Sequence, residues 1–294
     1  MPSRAERVKA ATKFTLTEHG ACLWPAAVTH REDEYDSQGF DVLAEMQHRH
    51  FWYLGRHRFL LRTVRRHLQP PGDAAPPRII DIGSGCGGWL AYLLARGRLP
   101  IEEAALADSS EKALRCASRC LPAHVARLQA DVLSLPWQSR WDAAFLLDVL
   151  EHIPDERAAL SQIREALTPG GKLFITTPAL KFFWTWNDEA VGHQRRYAKA
   201  DFRVLANACG FKLLEARYFM FFLSPLLVAS RLAMALRPAA LAQSQKWTLV
   251  RQMHRVPIRP LNWLLAAVFS CETPLGHWLP FPWGTSVLAV LQRE

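Results

Sequence analysis

The sequence has few of the features that define several common classes of protein. Its six cysteines include no Cys-x-x-Cys pair and no cysteine–histidine cluster at zinc spacing, so we expect no metal site and a reduced, cytoplasmic setting. No long run of like charge accompanies the excess of 36 Lys and Arg over 27 Asp and Glu, which argues against nucleic acid as a partner. The first 14 residues are basic but contain no apolar stretch, so they do not have the pattern of a secretory signal.

Long apolar runs are also scarce, with one exception. Tyr218–Leu236 has 19 residues, of which only Arg231 is charged, and this length approaches the roughly 20 residues that cross a bilayer. Pro225 lies near the middle of its apolar half, and its first residues continue a strand pattern. We therefore expect a buried or interfacial helix here rather than a membrane-spanning one.

The features that are present indicate alternating strands and helices. Asp41 to Leu68 has apolar residues at helical spacing, and a linker rich in Pro, Gly and Ala follows. Beyond it, short apolar runs alternate with amphipathic stretches, which is typical of a parallel sheet covered by helices on both faces. The predicted strands are Arg78–Ile82, Ala104–Ala107, Val125–Gln129, Ala143–Leu147, Lys172–Thr176, Lys212–Phe219 and Thr285–Leu291.

The strongest local signal is a glycine-rich turn after the first of these strands. Gly83, Gly85 and Gly88 match the dinucleotide-binding pattern G-x-G-x-x-G, so the glycines alone leave the ligand open. Asp81 ends the strand just before the turn. Its carboxylate would repel a pyrophosphate, but it would attract a ligand that carries an ammonium and a sulfonium group. An adenosyl-sulfur ligand is therefore favoured over a dinucleotide.

Two further acids follow the next two predicted strands. Asp108 lies 20 residues after Gly88, the usual distance for a carboxylate that accepts hydrogen bonds from ribose hydroxyls. Asp131 follows the third strand, where it could accept the adenine amino group while Val132 packs on the ring. Either acid alone could be a solvated strand-end residue. Together with Asp81 they predict one crevice at the carboxyl ends of consecutive strands.

At these positions the chain resembles the class I S-adenosylmethionine-dependent methyltransferases. The resemblance is carried by Asp81–Gly87, Asp108, Asp131–Val132, Trp141–Ile153 and Leu167–Leu173. It implies S-adenosylmethionine as the cofactor, with Asp81 and Gly83 at the methionine end, Asp108 at the ribose and Asp131 at the adenine. The cofactor-binding residues predicted in this way are Asp81, Gly83, Ser84, Gly85, Gly87, Asp108, Ser109, Asp131, Val132 and Asp148.

The same resemblance implies a doubly wound α/β fold of the Rossmann-like type, with seven mostly parallel strands of which the last is antiparallel. We expect four parts along the chain. Residues 1–77 form an N-terminal extension and helical cap, and residues 78–220 form the cofactor-binding core. Residues 221–283 form a helical insertion, and residues 284–294 form the last strand of the core.

A narrower resemblance lies outside the cofactor half. Glu45–Tyr53, Asn187–Glu189 and Gly192–Tyr197 are similar to a bacterial subgroup whose members often act in glycan, lipid or secondary-metabolite pathways. Asn187 stands where that subgroup commonly has histidine, so any role of that histidine does not carry over. The predicted acceptor contacts are Trp52, Tyr53, Arg195, Arg196 and Tyr197. Core packing of the aromatic residues and structural ion pairs of the arginines remain the alternatives.

Two histidines are the candidate catalytic residues. Methyl transfer requires alignment and exclusion of water and, for a hydroxyl or amine acceptor, removal of a proton. His152 follows the fourth strand and His193 lies in the loop after the fifth, so both are expected near the crevice. His152 could instead pack beneath the cofactor. The expected acceptor is a small molecule, a lipid-linked molecule or a glycan.

The apolar insertion before the last strand allows several interpretations. Residues 221–283 are too apolar for a solvated loop, so they could cover the acceptor, contact a membrane peripherally, or form a helical subdomain or dimer contact.

Three other functions compete with methylation of a small-molecule, lipid-linked or glycan acceptor. The acids Asp81 and Asp131 fit the dinucleotide of a nicotinamide-dependent oxidoreductase poorly. A base-methylating enzyme would carry an Asn/Asp-Pro-Pro-aromatic tetrad where Asp148–Glu151 stands. A non-catalytic regulatory or assembly protein that binds the cofactor remains open.

Overall fold

The computed structural model describes residues 15–16, 21–23, 39–69, 75–226, 228–229 and 255–294. The strands are β1 (Thr15–Leu16), β2 (Ala21–Leu23), β3 (Arg78–Ile82), β4 (Glu103–Asp108), β5 (Ala126–Gln129), β6 (Trp141–Leu147), β7 (Leu167–Pro178), β8 (Phe211–Phe219) and β9 (Ser286–Arg293). The α-helices are α1 (Gly39–Arg49), α2 (Phe51–Leu68), α3 (Gly88–Arg96), α4 (Glu111–Ala117), α5 (Glu156–Ala166), α6 (Trp186–Ala190), α7 (Lys199–Ala208) and α8 (Arg259–Trp278).

The strands form one sheet in the order β1-β2-β5-β4-β3-β6-β7-β9-β8. The strands β3 to β7 are mutually parallel, and β9 is antiparallel to both β7 and β8. The predicted seven-stranded sheet with an antiparallel last strand is therefore confirmed. Two short strands of the N-terminal extension, which the sequence pattern did not predict, lengthen the sheet beyond β5. The carboxyl ends of the parallel strands lie at one edge, named here the carboxyl edge.

Alternating side chains of the strands enter two separate apolar layers. In β6, Ala143 and Phe145 belong to one core cluster, whereas Ala144 and Leu146 belong to the other. Helices α2, α3, α4 and α8 cover the first face, and α5 and α7 cover the second. Because both faces are covered, the central strands are apolar on both sides, and this is why they appear in the sequence as short continuous apolar runs.

The helical stretch predicted from Asp41 to Leu68 forms two helices that meet at His50. The His50 side chain accepts a hydrogen bond from the backbone N–H of Trp52 at 3.2 Å, which caps the start of α2. Helix α2 packs beside α8, and a Cβ at Gly55 would overlap the ring of Phe269. The small residue at this position therefore allows the two helices to lie close together.

The segment that the sequence predicts as a helical insertion starts and ends at the carboxyl edge, after β8 and before β9. Its described residues include a helical stretch at 224–226 and 228–229 and the 20-residue helix α8. Residues 227 and 230–254, which include the end of the apolar run up to Leu236, lie outside the described residues. Among the helices that the structure describes, none is long and apolar enough to cross a membrane.

Candidate cofactor and acceptor site

The glycine-rich turn brings bare backbone to the carboxyl edge. Gly83, Gly85 and Gly87 have φ values of +67°, +54° and +75°, in the left-handed region that glycine adopts without strain. A Cβ at Gly83 would lie 2.5 Å from Cγ2 of Val149, and one at Gly87 would lie 2.8 Å from Cδ1 of Leu121. The turn therefore requires glycine for its backbone conformation and for its packing, and α3 begins directly after it.

Asp108, at the end of β4, holds this turn in place. Its Oδ2 accepts a hydrogen bond from the N–H of Gly85 at 2.8 Å, and its Oδ1 accepts one from the N–H of Ser110 at 2.9 Å. Each carboxylate oxygen can accept more than one hydrogen bond, so the same carboxylate can also accept bonds from two ligand hydroxyls. Ser109, which the sequence analysis also assigned to the cofactor, follows Asp108 directly. Its backbone carbonyl accepts a hydrogen bond from the side-chain amide of Gln129 at 2.9 Å.

Asp131 and Val132 follow β5 on the neighbouring strand end. Asp131 is buried, and its Oδ1 accepts a hydrogen bond from the N–H of Leu133 at 2.8 Å. Val132 is buried in the core cluster on the face covered by α5. Ser84 is buried in the glycine-rich turn, and its hydroxyl has no hydrogen-bond partner among the described residues. A polar ligand at the edge would provide the missing partner.

Asp81 and Asp148 share an arginine that the sequence analysis missed. Asp81 is buried, and this burial raises its pKa to about 8, with Asp108 raising it further and Arg56 opposing the shift. Arg56, in the second turn of α2, forms an ion pair with Asp148. Its side chain is only 4% exposed, although arginine is almost never fully buried unless it is paired. No local sequence pattern marked Arg56, because its burial between Gly55 and His57 is visible only in the folded chain.

The predicted acceptor contacts Trp52 and Tyr53 lie against this arginine. The guanidinium carbon of Arg56 is 5.0 Å from the ring centroid of each aromatic residue, a distance at which the cation is attracted by the ring. Both rings are half-buried. Arg56 in turn pairs with Asp148, which follows β6. Trp52 and Tyr53 therefore lie near the carboxyl edge.

The two candidate catalytic histidines lie together. His152 ends the short 3₁₀ turn that follows β6, and His193 lies between α6 and α7. Their ring centroids are 4.8 Å apart and their planes are inclined by 76°. Nδ1 of His193 lies 2.9 Å from Oδ1 of Asp188, so the ring is oriented by a buried carboxylate. Residues that are 41 positions apart in sequence are thus brought together at the carboxyl edge.

Glu151, which the sequence analysis did not select, lies beside these histidines. Its side chain is fully buried, and neither carboxylate oxygen has a hydrogen-bond partner within the described part of the chain. Burial raises its pKa well above the usual range and Asp148 raises it further, whereas the backbone N–H of Glu151 itself, Arg196 and Arg56 oppose the shift. No sequence pattern marked Glu151, because an acid that follows a strand is usually solvated.

The run Arg195–Tyr197 supports the loop that carries His193. Arg196 binds Asp188 through Nε at 2.8 Å and a terminal nitrogen at 2.7 Å, and these contacts with His193 hold the pKa of Asp188 well below its usual range despite its burial. Arg195 pairs with Glu156 at 3.0 Å, and the hydroxyl of Tyr197 donates to the same carboxylate at 2.5 Å. Burial, then this hydrogen bond, raises the pKa of Tyr197 far above its usual range. Arg196 and Tyr197 are thus occupied within the protein.

Comparisons with known proteins agree with this geometry. A family model described as a methyltransferase domain matches residues 47–216. The trans-aconitate 2-methyltransferase of Methylobacterium nodulans is 38% identical over 107 residues, which are 36% of this chain and 40% of the relative. The ubiquinone biosynthesis O-methyltransferase of Xanthomonas axonopodis pv. citri is 33% identical over 119 residues, 40% of this chain and 48% of the relative. The chain therefore spans less than half the length of either curated relative.

Solved structures share the fold at low sequence identity. The phosphoethanolamine N-methyltransferase 2 of Haemonchus contortus, solved in complex with S-adenosyl-L-methionine, superposes with a TM-score of 0.54. The two sequences are 17% identical, and the match covers 89% of this chain and 58% of that chain. At this identity the likeness shows the Rossmann-like fold of the sheet and its covering helices.

Proposed function

Because the chain belongs to the family of methyltransferase domains, we propose that it transfers a methyl group to an oxygen atom of a small-molecule, lipid-linked or glycan acceptor. The cofactor of this family is S-adenosylmethionine, which supplies a methyl group on an activated sulfonium carbon. The observation that carries the proposal is the joint position of the glycine-rich turn, the strand-end acids and the paired histidines at one carboxyl edge.

The residues at the edge fit an adenosyl-sulfur ligand. The positive-φ glycines bring bare backbone to the carboxyl edge, and the buried hydroxyl of Ser84 needs a partner. We assign Asp81 and Gly83 to the methionine end, Asp108 with Ser109 to the ribose, and Asp131 with Val132 to the adenine. Gly85 and Gly87 shape the turn, and Asp148 reaches the methionine end through its pair with Arg56.

The histidine pair is assigned to the acceptor. An oxygen acceptor must lose its proton for transfer to be efficient, and a neutral imidazole can accept it. His152 and His193 are each positioned to receive the proton, and Asp188 stabilises the positive charge that a protonated His193 would carry. Trp52 and Tyr53 exclude water from the mouth of the site, and Arg195–Tyr197 hold the loop that carries His193.

The acceptor is assigned to the lipid, glycan or secondary-metabolite chemistry of the bacterial subgroup. The name of one curated relative includes ubiquinone biosynthesis and oxygen methylation, which supports an oxygen atom on an apolar acceptor. Within the insertion 221–283, Trp263 and Trp278 are 72% and 77% exposed. This exposure supports peripheral contact with the cytoplasmic face of a membrane, where such an acceptor is found.

Two measurements test the proposal. Calorimetry should show that S-adenosylhomocysteine binds in the micromolar range, roughly 8 kcal/mol, and that NAD does not. Incubation with a methyl-labelled cofactor should label a hydroxylated quinone precursor or an extracted lipid fraction. Binding of NAD without binding of the adenosyl-sulfur ligand would contradict the cofactor assignment. Tight cofactor binding with no labelled product would favour the non-catalytic alternative.

A further inference from the structure

Three side chains that offer metal ligands converge on the acceptor side of the carboxyl edge. Glu151, His152 and His193 each present one ligand atom, and these atoms all lie within 4.8 Å of one another. Metal–nitrogen and metal–oxygen bonds are about 2.0–2.2 Å long, so two ligands of one ion can be about 4.4 Å apart. Three ligands of one ion lie about 3–4 Å apart pairwise, so the cluster needs a contraction of at most about 1–2 Å, which side-chain rotation can supply, to hold one ion.

The carboxylate of Glu151 needs a partner that the described residues do not supply. Its side chain is fully buried, and both of its oxygens lack a hydrogen-bond partner in the described ranges. A buried carboxyl group is normally hydrogen-bonded, paired with a cation or bound to a metal. Since the ligand atoms of His152 and His193 lie within reach of this carboxylate, a cation bound between the three would satisfy it.

His193 is already oriented as a metal-binding histidine would be. Its Nδ1 is 2.9 Å from Oδ1 of Asp188, which in turn is held by Arg196 at 2.7 Å and by the N–H of Thr185 at 2.8 Å. With Nδ1 occupied by this carboxylate, Nε2 is left to bind an ion. A carboxylate behind the histidine is the usual arrangement around protein-bound metals, because it fixes the ring and raises its basicity.

The charges around the cluster also favour a cation. The carboxylates of Asp148, Glu151 and Asp188 lie in this region with two buried arginines, Arg56 and Arg196. Each arginine is paired with an aspartate, Arg56 with Asp148 and Arg196 with Asp188. Neither arginine makes a hydrogen bond to Glu151. Two imidazoles and one carboxylate are ligands that divalent first-row transition metals accept, and three protein ligands leave coordination positions open.

We propose that Glu151, His152 and His193 form a binding site for one divalent transition-metal ion. Its role, unlike the binding itself, rests on the proposed function. The open coordination position would hold the oxygen of the acceptor, and the charge of the ion would lower the pKa of that hydroxyl so that its proton passes to water. With the ion bound, the two histidines serve as its ligands, and activation of the hydroxyl by the ion replaces direct proton transfer to an imidazole.

Binding of cobalt(II) to the full-length, tag-free protein tests the site. Chelator-treated protein is titrated with Co²⁺ by calorimetry and by absorption, since absorption separates imidazole–carboxylate coordination from thiolate coordination by the free cysteines. We expect one ion per chain without a thiolate band. Glu151→Gln and His193→Asn should each weaken binding at least tenfold, and Asp188→Asn should weaken it about 10–100-fold. The exposed His124, replaced by Asn, is the matched control and should leave binding unchanged.

Thermal unfolding of each variant checks that it is folded, and His193→Asn keeps the test available should Glu151→Gln not fold. Absence of Co²⁺ binding, equal binding by the folded variants, or a thiolate band would overturn the site. Labelling assays with and without chelator test the role separately. Methyl transfer that is unchanged by the chelator would overturn the role of the ion, whereas one bound ion without any methyl transfer would support the site and contradict the proposed function.

Discussion

Around Asp108 the carboxylates of the carboxyl edge accept hydrogen bonds from backbone N–H groups, whereas around Asp188 they bind charged side chains. Asp108 is bound to the N–H groups of Gly85 and Ser110. Asp188 is bound to Arg196 and His193 and, across the same loop, Glu156 is bound to Arg195. On the cofactor side, Asp108 and Asp131 are therefore held by neighbouring backbone turns and Asp148 by the buried Arg56. On the acceptor side, Asp188 and Glu156 are held by ion pairs with the loop that carries His193.

This difference implies different responses to mutation. Asp108 is only half-buried. If its carboxylate is removed, water or a ligand can therefore reach the backbone N–H groups that it had bound. Loss of a buried carboxylate paired with arginine leaves an uncompensated charge, which is far more costly. We therefore expect substitutions on the cofactor side to reduce binding, and substitutions on the acceptor side to reduce stability first.

The largest effect is expected for Asp188→Ala. The Arg196 side chain, 4% exposed, would lose its partner, and breaking a buried pair in this way costs about 3–5 kcal/mol. Unfolding by denaturant at pH 7 measures this loss. The adjacent Glu189 is exposed, so Glu189→Ala is the matched control and should change the free energy of unfolding by less than about 0.5 kcal/mol. Equal effects of the two variants would remove the distinction between the two sides.

Asp108→Ala tests the cofactor side. It should reduce the affinity for S-adenosylhomocysteine by about 2–4 kcal/mol, because two charge-assisted hydrogen bonds to the ribose are lost. Calorimetry measures the affinity, and circular dichroism checks the fold. Asp155, which caps α5 and accepts from Ala158 at 3.0 Å, provides the control variant Asp155→Ala with unchanged affinity. A folded Asp108→Ala protein with the affinity of the wild type would contradict the ribose assignment.

Asp81→Asn should change stability and binding in opposite directions. Burial raises the pKa of Asp81 to about 8, so the carboxyl stabilises the fold only while it is protonated, and this stability is lost as the pH rises from about 4 through 8. At pH 8 the variant, which cannot ionise, should be more stable than the wild type by about 1–3 kcal/mol. Its affinity for the cationic methionine end should fall.

Unfolding curves at pH 5 and pH 8, with cofactor calorimetry at both, measure these two effects. The difference in stability between Asp81→Asn and the wild type should be smaller at pH 5, because the wild-type carboxyl is then mostly protonated in the folded state. A variant that is less stable than the wild type at pH 8 would show that ionised Asp81 is compensated within the protein by Arg56.

The smallest effect is expected for Asn262→Ala, which breaks the contact between the insertion and the start of α2. The Asn262 side chain accepts from the N–H of Phe51 at 2.8 Å and donates to the carbonyl of Arg49 at 2.8 Å. Its loss should cost about 1 kcal/mol and raise KM for the acceptor more than it lowers kcat. Asn207, exposed on α7, is the matched control. An unchanged KM would separate the insertion from acceptor binding.

The sequence predicted the cofactor side better than the acceptor side for a physical reason. Gly83, Asp108 and Asp131 each lie within a few residues of a strand end, so the order of the strands suffices to bring them together. The pairing of Arg56 with Asp148 joins residues 92 positions apart, and no local pattern encodes it. The histidines were found because they follow strands, but the orientation of His193 by Asp188 and the burial of Glu151 depend on packing.

The fold shows the same limit. The longer strands were predicted from their apolar runs, and the antiparallel last strand followed from the family resemblance, but the order of the strands in the sheet was not predicted. The strands β1 and β2 have two and three residues, too few for a periodic pattern, and they form because the edge of β5 offers free backbone groups. The break between α1 and α2 at His50 was also missed, because apolar residues continue at helical spacing on both sides of it.

The pairing of Phe219 with Ser286 has an evolutionary consequence. The chain leaves the sheet and returns to it at directly opposed residues of adjacent antiparallel strands, where a hairpin turn of two to five residues would suffice. Segments of very different length can therefore be exchanged at this point without a change in strand register. Natural relatives, or an engineer building chimaeras, could acquire a new acceptor preference here while inheriting the cofactor half intact.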